Sequence, residues 1–332
     1  MAKAGTTSKT SSKKVRAAFI GAGGRAKAAH YPSLDAYSGS EIVAVADMNE
    51  ERLNAVAGQY DIRGKYTNFV QMIEKEKPEV VYAIMPPHHL YDVAATVMEM
   101  GCNLVVEKPP AMTTEQTRQL AIIARKNKVL TAVTFQRRFA PVIREGKAMC
   151  EKRGKVHTAV ASFYKNWLGK DPYMRGAIDI LTSDGIHAVD TLRYMCGGDV
   201  VSVASDVRRE GADHHTIHLA LVKFTTGATG VLLTNWMTGR RFFTIEMHAP
   251  GISCMGDPEE GGKVYADDKL EPLAILDPAE LGGGKEPFRA FAPYHLNQHI
   301  SDCIRKGKQP ETNFEDATKT MELVDAIYKS QI

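Results

Sequence analysis

The sequence predicts an α/β protein with two domains, on three observations. Short apolar strands alternate with helical patterns from residue 15 to about 135. A glycine-rich corner, Gly21-Ala-Gly23-Gly24-Arg-Ala26, follows the first strand directly. After about residue 135 the alternation gives way to strands that follow one another through hairpin-like turns. Strand–helix alternation indicates parallel βαβ units in a doubly wound sheet, and adjacent strands indicate an antiparallel or mixed sheet.

In chain order, the strand Val15–Ile20 leads into the glycine corner and a helix pattern over Arg25–Tyr37. Glycines let the backbone turn tightly and approach a ligand closely, and the first helical turn aims unpaired N–H groups at it. An anion is favoured there, above all a pyrophosphate. Gly21, Gly23, Gly24 and Arg25 are therefore cofactor-binding candidates, with Ala26 in the third position of the fingerprint. The second strand, Ile42–Ala46, ends at Asp47, placed to accept hydrogen bonds from an adenosine ribose and to repel a 2′-phosphate. Met48, Asn49 and Glu50 follow, with no basic residue at once, so NAD is expected rather than NADP. These features define a Rossmann-type dinucleotide-binding domain.

The remaining helix patterns of the first half are Glu50–Tyr60, Asn68–Glu76, Leu90–Met100 and Thr114–Asn127. The remaining strands are Val80–Ile84, Asn103–Val106 and Leu130–Val133. Pro32 should kink or end the first helix. In the second half, helices Val142–Lys152 and Ile186–Met195 precede strands Val200–Arg208, Thr216–Phe224, Thr229–Trp236 and Phe243–Ala249. Met255–Gly284 reads as loop with short strands, and two closing helices lie near Tyr294–Arg305 and Asn313–Ser330. Thr312-x-x-Glu315 has capping-box spacing for the last one. The expected division is a disordered tail over 1–14, a dinucleotide-binding domain over 15–135, and an α/β domain with an open, mainly antiparallel sheet over 136–332. The second domain is assigned substrate binding and oligomerisation, and its last helix is a candidate to pack back on the first.

Composition excludes several classes. A 332-residue chain can bury two cores, and 44% apolar with 24% charged residues is ordinary for a globular protein. The net charge of +3 comes with no basic stripe, so nucleic acid is not expected as a partner. No apolar run reaches the roughly 20 residues of a membrane span. The tail lacks the apolar core of a signal peptide. Cys102, Cys150, Cys196, Cys254 and Cys303 are odd in number and widely spaced, as reduced thiols of a cytoplasmic protein would be. No metal site is expected. His214 and His218 on a strand would stand about 13 Å apart, too far to share an ion.

The candidates for chemistry sit at strand ends and on one helix. Lys108, in Val106-Glu107-Lys108-Pro109-Pro110, lies where a bound nicotinamide would be, since ligands sit beyond the carboxyl ends of strands. Its ammonium can donate to a substrate hydroxyl and stabilise charge as a proton leaves. His187 opens a helix in Ser183-Asp184-Gly185-Ile186-His187 and suits removal of an alcohol proton. Asp184 three positions before it, or Ser183 four positions before, can orient the imidazole across one turn. Met85, Pro86 and His88 end another strand and should line the cofactor cleft.

Together these residues resemble the glucose–fructose oxidoreductase/inositol dehydrogenase (Gfo/Idh/MocA) family. The resemblance rests on Gly21–Ala26, Asp47, Met85-Pro86-Pro87, Glu107-Lys108-Pro109, Gln136-Arg-Arg138-Phe-Ala-Pro141, His187-Ala-Val-Asp190 and the closing segment from Tyr294 to Tyr328. It implies oxidation of a sugar, polyol or sugar-derivative hydroxyl, with hydride passing to the nicotinamide. It further implies His187 as base, Lys108 holding the oxygen and the cofactor, Glu107 shaping the site, and Gln136 and Arg138 near the nicotinamide or substrate. A homodimer or homotetramer is implied as well. Two positions depart from the family pattern. Ser183 stands where the family has its acid, and Met85 stands where relatives carry Thr or Ser.

For the substrate, Lys165 and Arg175 are candidates to bind an anionic group, to hydrogen-bond sugar hydroxyls, or to face solvent. Trp167 can stack on a sugar or belong to the core. Two other functions compete with the dehydrogenase. One is an NAD-dependent, redox-neutral glycosidase acting by transient oxidation, elimination and re-reduction. The other is a non-catalytic nucleotide-binding sensor, against which Lys108 and His187 both speak.

Overall fold

The computed structural model describes residues 13–332, so all but two residues of the expected tail lie outside the described part. Six strands form the first sheet: β1 (Val15–Ile20), β2 (Ser40–Ala46), β3 (Gly64–Tyr66), β4 (Val80–Ala83), β5 (Asn103–Val106) and β6 (Thr131–Val133). Their order is β3-β2-β1-β4-β5-β6, and every pairing is parallel. All four residues of β4 are buried, as expected for a parallel sheet covered on both faces. The helices are α1 (Tyr31–Asp35), α2 (Glu50–Gln59), α3 (Phe69–Glu76), α4 (Leu90–Glu99) and α5 (Thr114–Asn127). The edge strand β3 has no counterpart among the strands expected from sequence, because three residues are too few for a periodic signal.

Pro32 acts differently from the expected break. A π-turn, Ala26–His30, runs directly into α1, with the Tyr31 N–H donating to the Ala26 carbonyl. Proline cannot donate and crowds the carbonyl four residues back. One wider turn before it absorbs both problems, so Pro32 sits near the start of a resumed helix.

The second sheet has eight strands: β7 (Thr158–Asn166), β8 (Val200–Arg208), β9 (Ile217–Phe224), β10 (Thr229–Asn235), β11 (Met237–Ala249), β12 (Ile252–Asp257), β13 (Gly261–Ala266) and β14 (Ala274–Leu276). Their order is β14-β13-β12-β11-β7-β10-β9-β8, antiparallel throughout except β7 with β10. Met255–Gly284 is loop with short strands, as expected: the end of β12, then β13 and β14. Burial alternates along β9 and β10, so one face meets the helices and the other stays open. The remaining helices are α6 (Pro141–Glu151), α7 (Ile186–Cys196), α8 (Pro278–Gly282), α9 (Pro287–Ala290), α10 (Pro293–Lys306) and α11 (Phe314–Lys329). Gly230 lets α7 lie close on β10, since a Cβ there would stand 3.0 Å from the Leu192 side chain.

Helix α11 packs on α5 of the first layer and on α7 and β8 of the second. Its cap differs from the expected box: Asn313 Oδ1 accepts from Glu315 N at 3.0 Å and Asp316 N at 3.1 Å. Thr312 Oγ1 is buried without a partner among the described residues. Asparagine one residue later puts its acceptor in reach of two first-turn donors, so the threonine is not needed. All five cysteines are free and buried. No helix among the described residues is long and apolar enough to cross a membrane.

Candidate active site

A cavity of about 1110 Å³ runs from the glycine corner to the start of α7. At the corner, Gly21 has φ +113°, and a Cβ on it would stand 2.3 Å from the Ile84 carbonyl oxygen. Only glycine fits a position with that φ and that neighbour. Gly23 and Gly24 have nothing within 4 Å of where a Cβ would be. Both face the cavity, and helix starts leave their first N–H groups without intrahelical partners. The Ala22 N–H donates to Asp47 Oδ2 at 2.8 Å. Asp47 Oδ1 accepts from Asn49 N at 2.8 Å and from Arg52 Nη2 at 3.2 Å. Burial would raise the Asp47 pKa, but these donors and the Arg52 charge hold it below the usual carboxylate value. Open space over two glycines, a helix start and an acid at the tip of β2 fit a bound dinucleotide.

Met85, Pro86 and His88 line the same cavity, because parallel strands all end at one edge of their sheet. Glu107 is buried beyond the end of β5 and gathers three groups. Its Oε1 accepts from Arg25 Nε at 2.7 Å and lies 2.9 Å from His30 Nε2, while Oε2 accepts from the Lys108 backbone N–H at 3.1 Å. Burial alone would raise the Glu107 pKa, yet Arg25, His30 and Lys108 hold it far below the usual range. Arg25 Nη2 also donates to Gln136 Oε1 at 3.0 Å. Arg25, Glu107 and Gln136, which are distant in sequence, therefore form one wall.

Lys108 Nζ donates to the Ser183 carbonyl at 2.8 Å and to Asp184 Oδ1 at 3.3 Å. Asp184 Oδ2 accepts from Tyr173 OH at 3.0 Å and also from Lys165 Nζ. Burial would raise the Asp184 pKa, but Lys108 and Lys165 drive it well below the carboxylate range, so the carboxylate stays charged. His187 is buried and reaches the cavity, with Nδ1 unpartnered among the described residues. Burial, then the Lys108 and Arg137 cations, push its pKa well below the ordinary histidine value, with Asp184 opposing. The imidazole is neutral at pH 7.

Three sequence-based assignments, those of Asp184, Ser183 and Arg138, need correction, and Trp167 and Arg175 fall on the alternatives to substrate binding that the sequence left open. Asp184 ties down two lysines and a tyrosine, and it makes no hydrogen bond to His187. It sits in a π-turn, Leu181–Gly185, where three residues fall short of a full turn, so it is not stacked on the imidazole. Ser183 does not orient the ring either, since its hydroxyl donates to the Ile180 carbonyl at 3.4 Å. Arg138 lies outside the cavity lining. It is buried in a cluster, with Nε 2.7 Å from Asp190 Oδ2 and Nη2 bonded to Asp190 and Asp316. A buried guanidinium needs such partners, and Asp190 on α7 supplies a bidentate one. Trp167 stacks on Tyr173 with centroids 4.6 Å apart and is not among the cavity-lining residues. Arg175 is exposed with φ +58° and lies off the cavity lining.

Four lining or supporting residues have no place in the reading from sequence. Arg52 pairs with Asp47 from the first turn of α2. Arg137 and Arg241 line the cavity and share Glu259. Tyr173 supports Asp184 and accepts from Trp236 Nε1 at 3.2 Å. Arg52 carried a signal, five residues past Asp47 in the first turn of the next helix, and Arg137 lies between Gln136 and Arg138; Tyr173 and Arg241 are brought in by segments far along the chain.

Residues 15–135 match the family model described as an oxidoreductase family with an NAD-binding Rossmann fold. Residues 149–250 match its C-terminal domain model. The chain belongs to the Gfo/Idh/MocA oxidoreductase family. It is 27% identical to the D-apiose dehydrogenase of Paraburkholderia graminis, over 97% of this chain and 88% of that protein. It is 23% identical to the scyllo-inositol 2-dehydrogenase (NAD(+)) of Bacillus subtilis, over 93% of this chain and 92% of that one. Among solved structures, a dehydrogenase from Chromobacterium violaceum superposes with a TM-score of 0.85, at 22% identity and 96% coverage of both chains. At that identity the superposition speaks for the fold.

Proposed function

We propose that this protein oxidises a carbinol carbon of a sugar, polyol or sugar derivative, using NAD. The observation that carries the reading is the convergence of a neutral, buried His187 and the Lys108 amine on one end of the cavity. NAD supplies the acceptor for the hydride that leaves the carbinol carbon. His187 takes the hydroxyl proton as the carbon–oxygen double bond forms. Lys108 donates a hydrogen bond to that oxygen while its negative charge develops. Asp184 accepts hydrogen bonds from Lys108 and Lys165 and aims both, and so acts as a positioning residue. Gly21, Gly23, Gly24, Arg25, Met85, Pro86, His88, Glu107 and Gln136 form the cofactor wall, with Asp47 at the adenosine ribose.

Asp47 supports NAD, because its carboxylate would repel a 2′-phosphate. Arg52 beside it favours a second reading, in which NADP is also accepted. The open face of the eight-stranded sheet supports assembly into a homodimer or homotetramer.

The test is a panel of sugars, polyols, sugar acids and glycosides with each nicotinamide cofactor. Reduced cofactor and released aglycone are followed in the same wells. Net reduction with one compound class is the expected result. Cofactor-dependent aglycone release without net reduction would replace the dehydrogenase by the redox-neutral glycosidase.

A further inference from the structure

We propose that the substrate carries a carboxylate group, held by Arg241 and Lys165. The proposal rests on the dehydrogenase reading above and adds the chemical class of its substrate.

Lys108, Arg137, Lys165 and Arg241 all line the catalytic end of the cavity. Asp184 lines this end with them, and Glu107, which also lines the cavity, is neutralised by its ion pair with Arg25. Behind the wall, Glu259 is shared by Arg241 and Arg137. Asp257 lies one layer further back, accepting from Phe243 N at 3.1 Å and Glu259 N at 2.9 Å. His187 contributes no charge. Four cations thus face three carboxylates, and one positive charge is left over. A carboxylate would neutralise it, whereas a phosphate monoester, at roughly −1.5 to −2, would overshoot.

The hydrogen-bonding capacity points the same way. A hydroxyl group both donates and accepts, so a wall built for a neutral polyol offers acceptors as well as donors. Here the carboxylate acceptors are already engaged, and the His187 imidazole is assigned to the reacting hydroxyl. Asp184 takes bonds from Lys108, Lys165 and Tyr173, and Glu259 takes two from Arg241, each at 2.7 Å. The donors are in surplus. Arg241 spends two of its five N–H groups on Glu259, and Lys165 spends one of three on Asp184. The surplus matches a group that only accepts, and the planar fork of Arg241 suits a carboxylate. Phe163 and Phe291 flank these cations and would strengthen the pairing by excluding water. Burial and the neighbouring Arg241 and Lys108 charges also lower the Lys165 pKa, a repulsion that a bound anion relieves.

The experiment compares matched compounds with NAD: aldonates and uronates, their neutral parent sugars, and the corresponding sugar phosphates. The expected result is that kcat/KM for acids exceeds that for neutral parents by about tenfold or more. Arg241→Met should remove most of that advantage through KM, and Arg241→Lys should restore part of it. A thermal-shift titration with NAD present reads binding of the same compounds independently of turnover. Net reduction of NAD by neutral sugars as efficiently as by acids would overturn the proposal and leave the dehydrogenase reading standing. A preference for phosphates would overturn the carboxylate. Absence of reduction with every compound would overturn the dehydrogenase reading. Stabilisation by acids alone in the titration would still support the carboxylate site in that case.

Discussion

The two ends of the cavity are built on different principles. The adenosine end is made of backbone and of residues close in sequence: three glycines, the first turn of a helix, and an Asp47 that bonds Ala22, 25 positions away. The catalytic end is made of charged side chains from distant segments, such as Lys108 on Ser183, 75 positions away. A site made of main-chain geometry depends on φ angles and on empty space. A site made of buried charges depends on every partner, because removing one leaves another uncompensated. The two ends should therefore fail in different ways.

The largest expected effect is at the catalytic end. His187→Ala and Lys108→Ala should each lower kcat by on the order of a hundredfold or more, with NAD binding retained in a fluorescence titration. Near-normal turnover in both variants would remove the assignment of base and oxygen-holder. Asp184→Asn should lower kcat about tenfold or more, because Lys108 and Lys165 lose a charged acceptor. The conservative Asp184→Glu should recover part of that loss if the role is positioning.

At the adenosine end the signature should be reversed. Gly21→Ala places a methyl 2.3 Å from the Ile84 carbonyl oxygen at a positive φ, so the corner must shift. The expected outcome is a tenfold or greater rise in the NAD dissociation constant, at the ~1.4 kcal/mol per decade of binding, read by isothermal titration. Unchanged binding would mean that the corner does not hold the cofactor. Asp47→Ala should move the NAD-to-NADP ratio of kcat/KM toward NADP by roughly tenfold, since Arg52 is left free for a 2′-phosphate. In Asp47→Ala/Arg52→Ala that gain should vanish.

The smallest effect concerns pH. The folded-state pKa of His187 lies well below 6.5, so the base stays unprotonated as pH falls through 6.5. The acid limb of kcat/KM should therefore sit below pH 6.5, with activity lost only as pH drops through the depressed value. A limb at or above 6.5 would mean that the Lys108 and Arg137 charges and burial do not act on the imidazole as the geometry requires. His218, away from the site, offers a contrast in stability. Burial holds its pKa down to about 4. The unfolded chain would take a proton there near pH 6.5 and the folded chain would not. Stability from this group is full above pH 6.5 and falls as pH drops toward 4, by about 3 kcal/mol at most. Acid unfolding curves of wild type and His218→Gln should diverge over that window.

The first sheet was legible because each of its longer strands is an uninterrupted apolar run followed by a helix with its own periodicity. The adenosine end was legible for a related reason. Tight turns, helix starts and a strand-tip acid are local requirements, so Gly21, Gly23, Gly24 and Asp47 announce themselves within a short stretch of sequence. Lys108 and His187 were found from strand-end position and a helix start, but their mutual placement was not. The short strands within 255–284 were expected but not bounded, because their glycines and charges mask a two-residue period.

What only the tertiary structure decided is where long polar side chains go. Arg138 and Arg241 are the same residue type, each with a flexible stem. One is closed into a buried cluster with Asp190 and Asp316, and the other is left with spare donors in the cavity. Asp184 looked like a histidine partner by spacing and proved to be a lysine anchor, because a π-turn changed its angular position. Local sequence dictates backbone conformation through sterics and hydrogen bonding over a few residues. The pairing of charges is a global problem, settled by which carboxylates the packing of helices and sheets brings within reach.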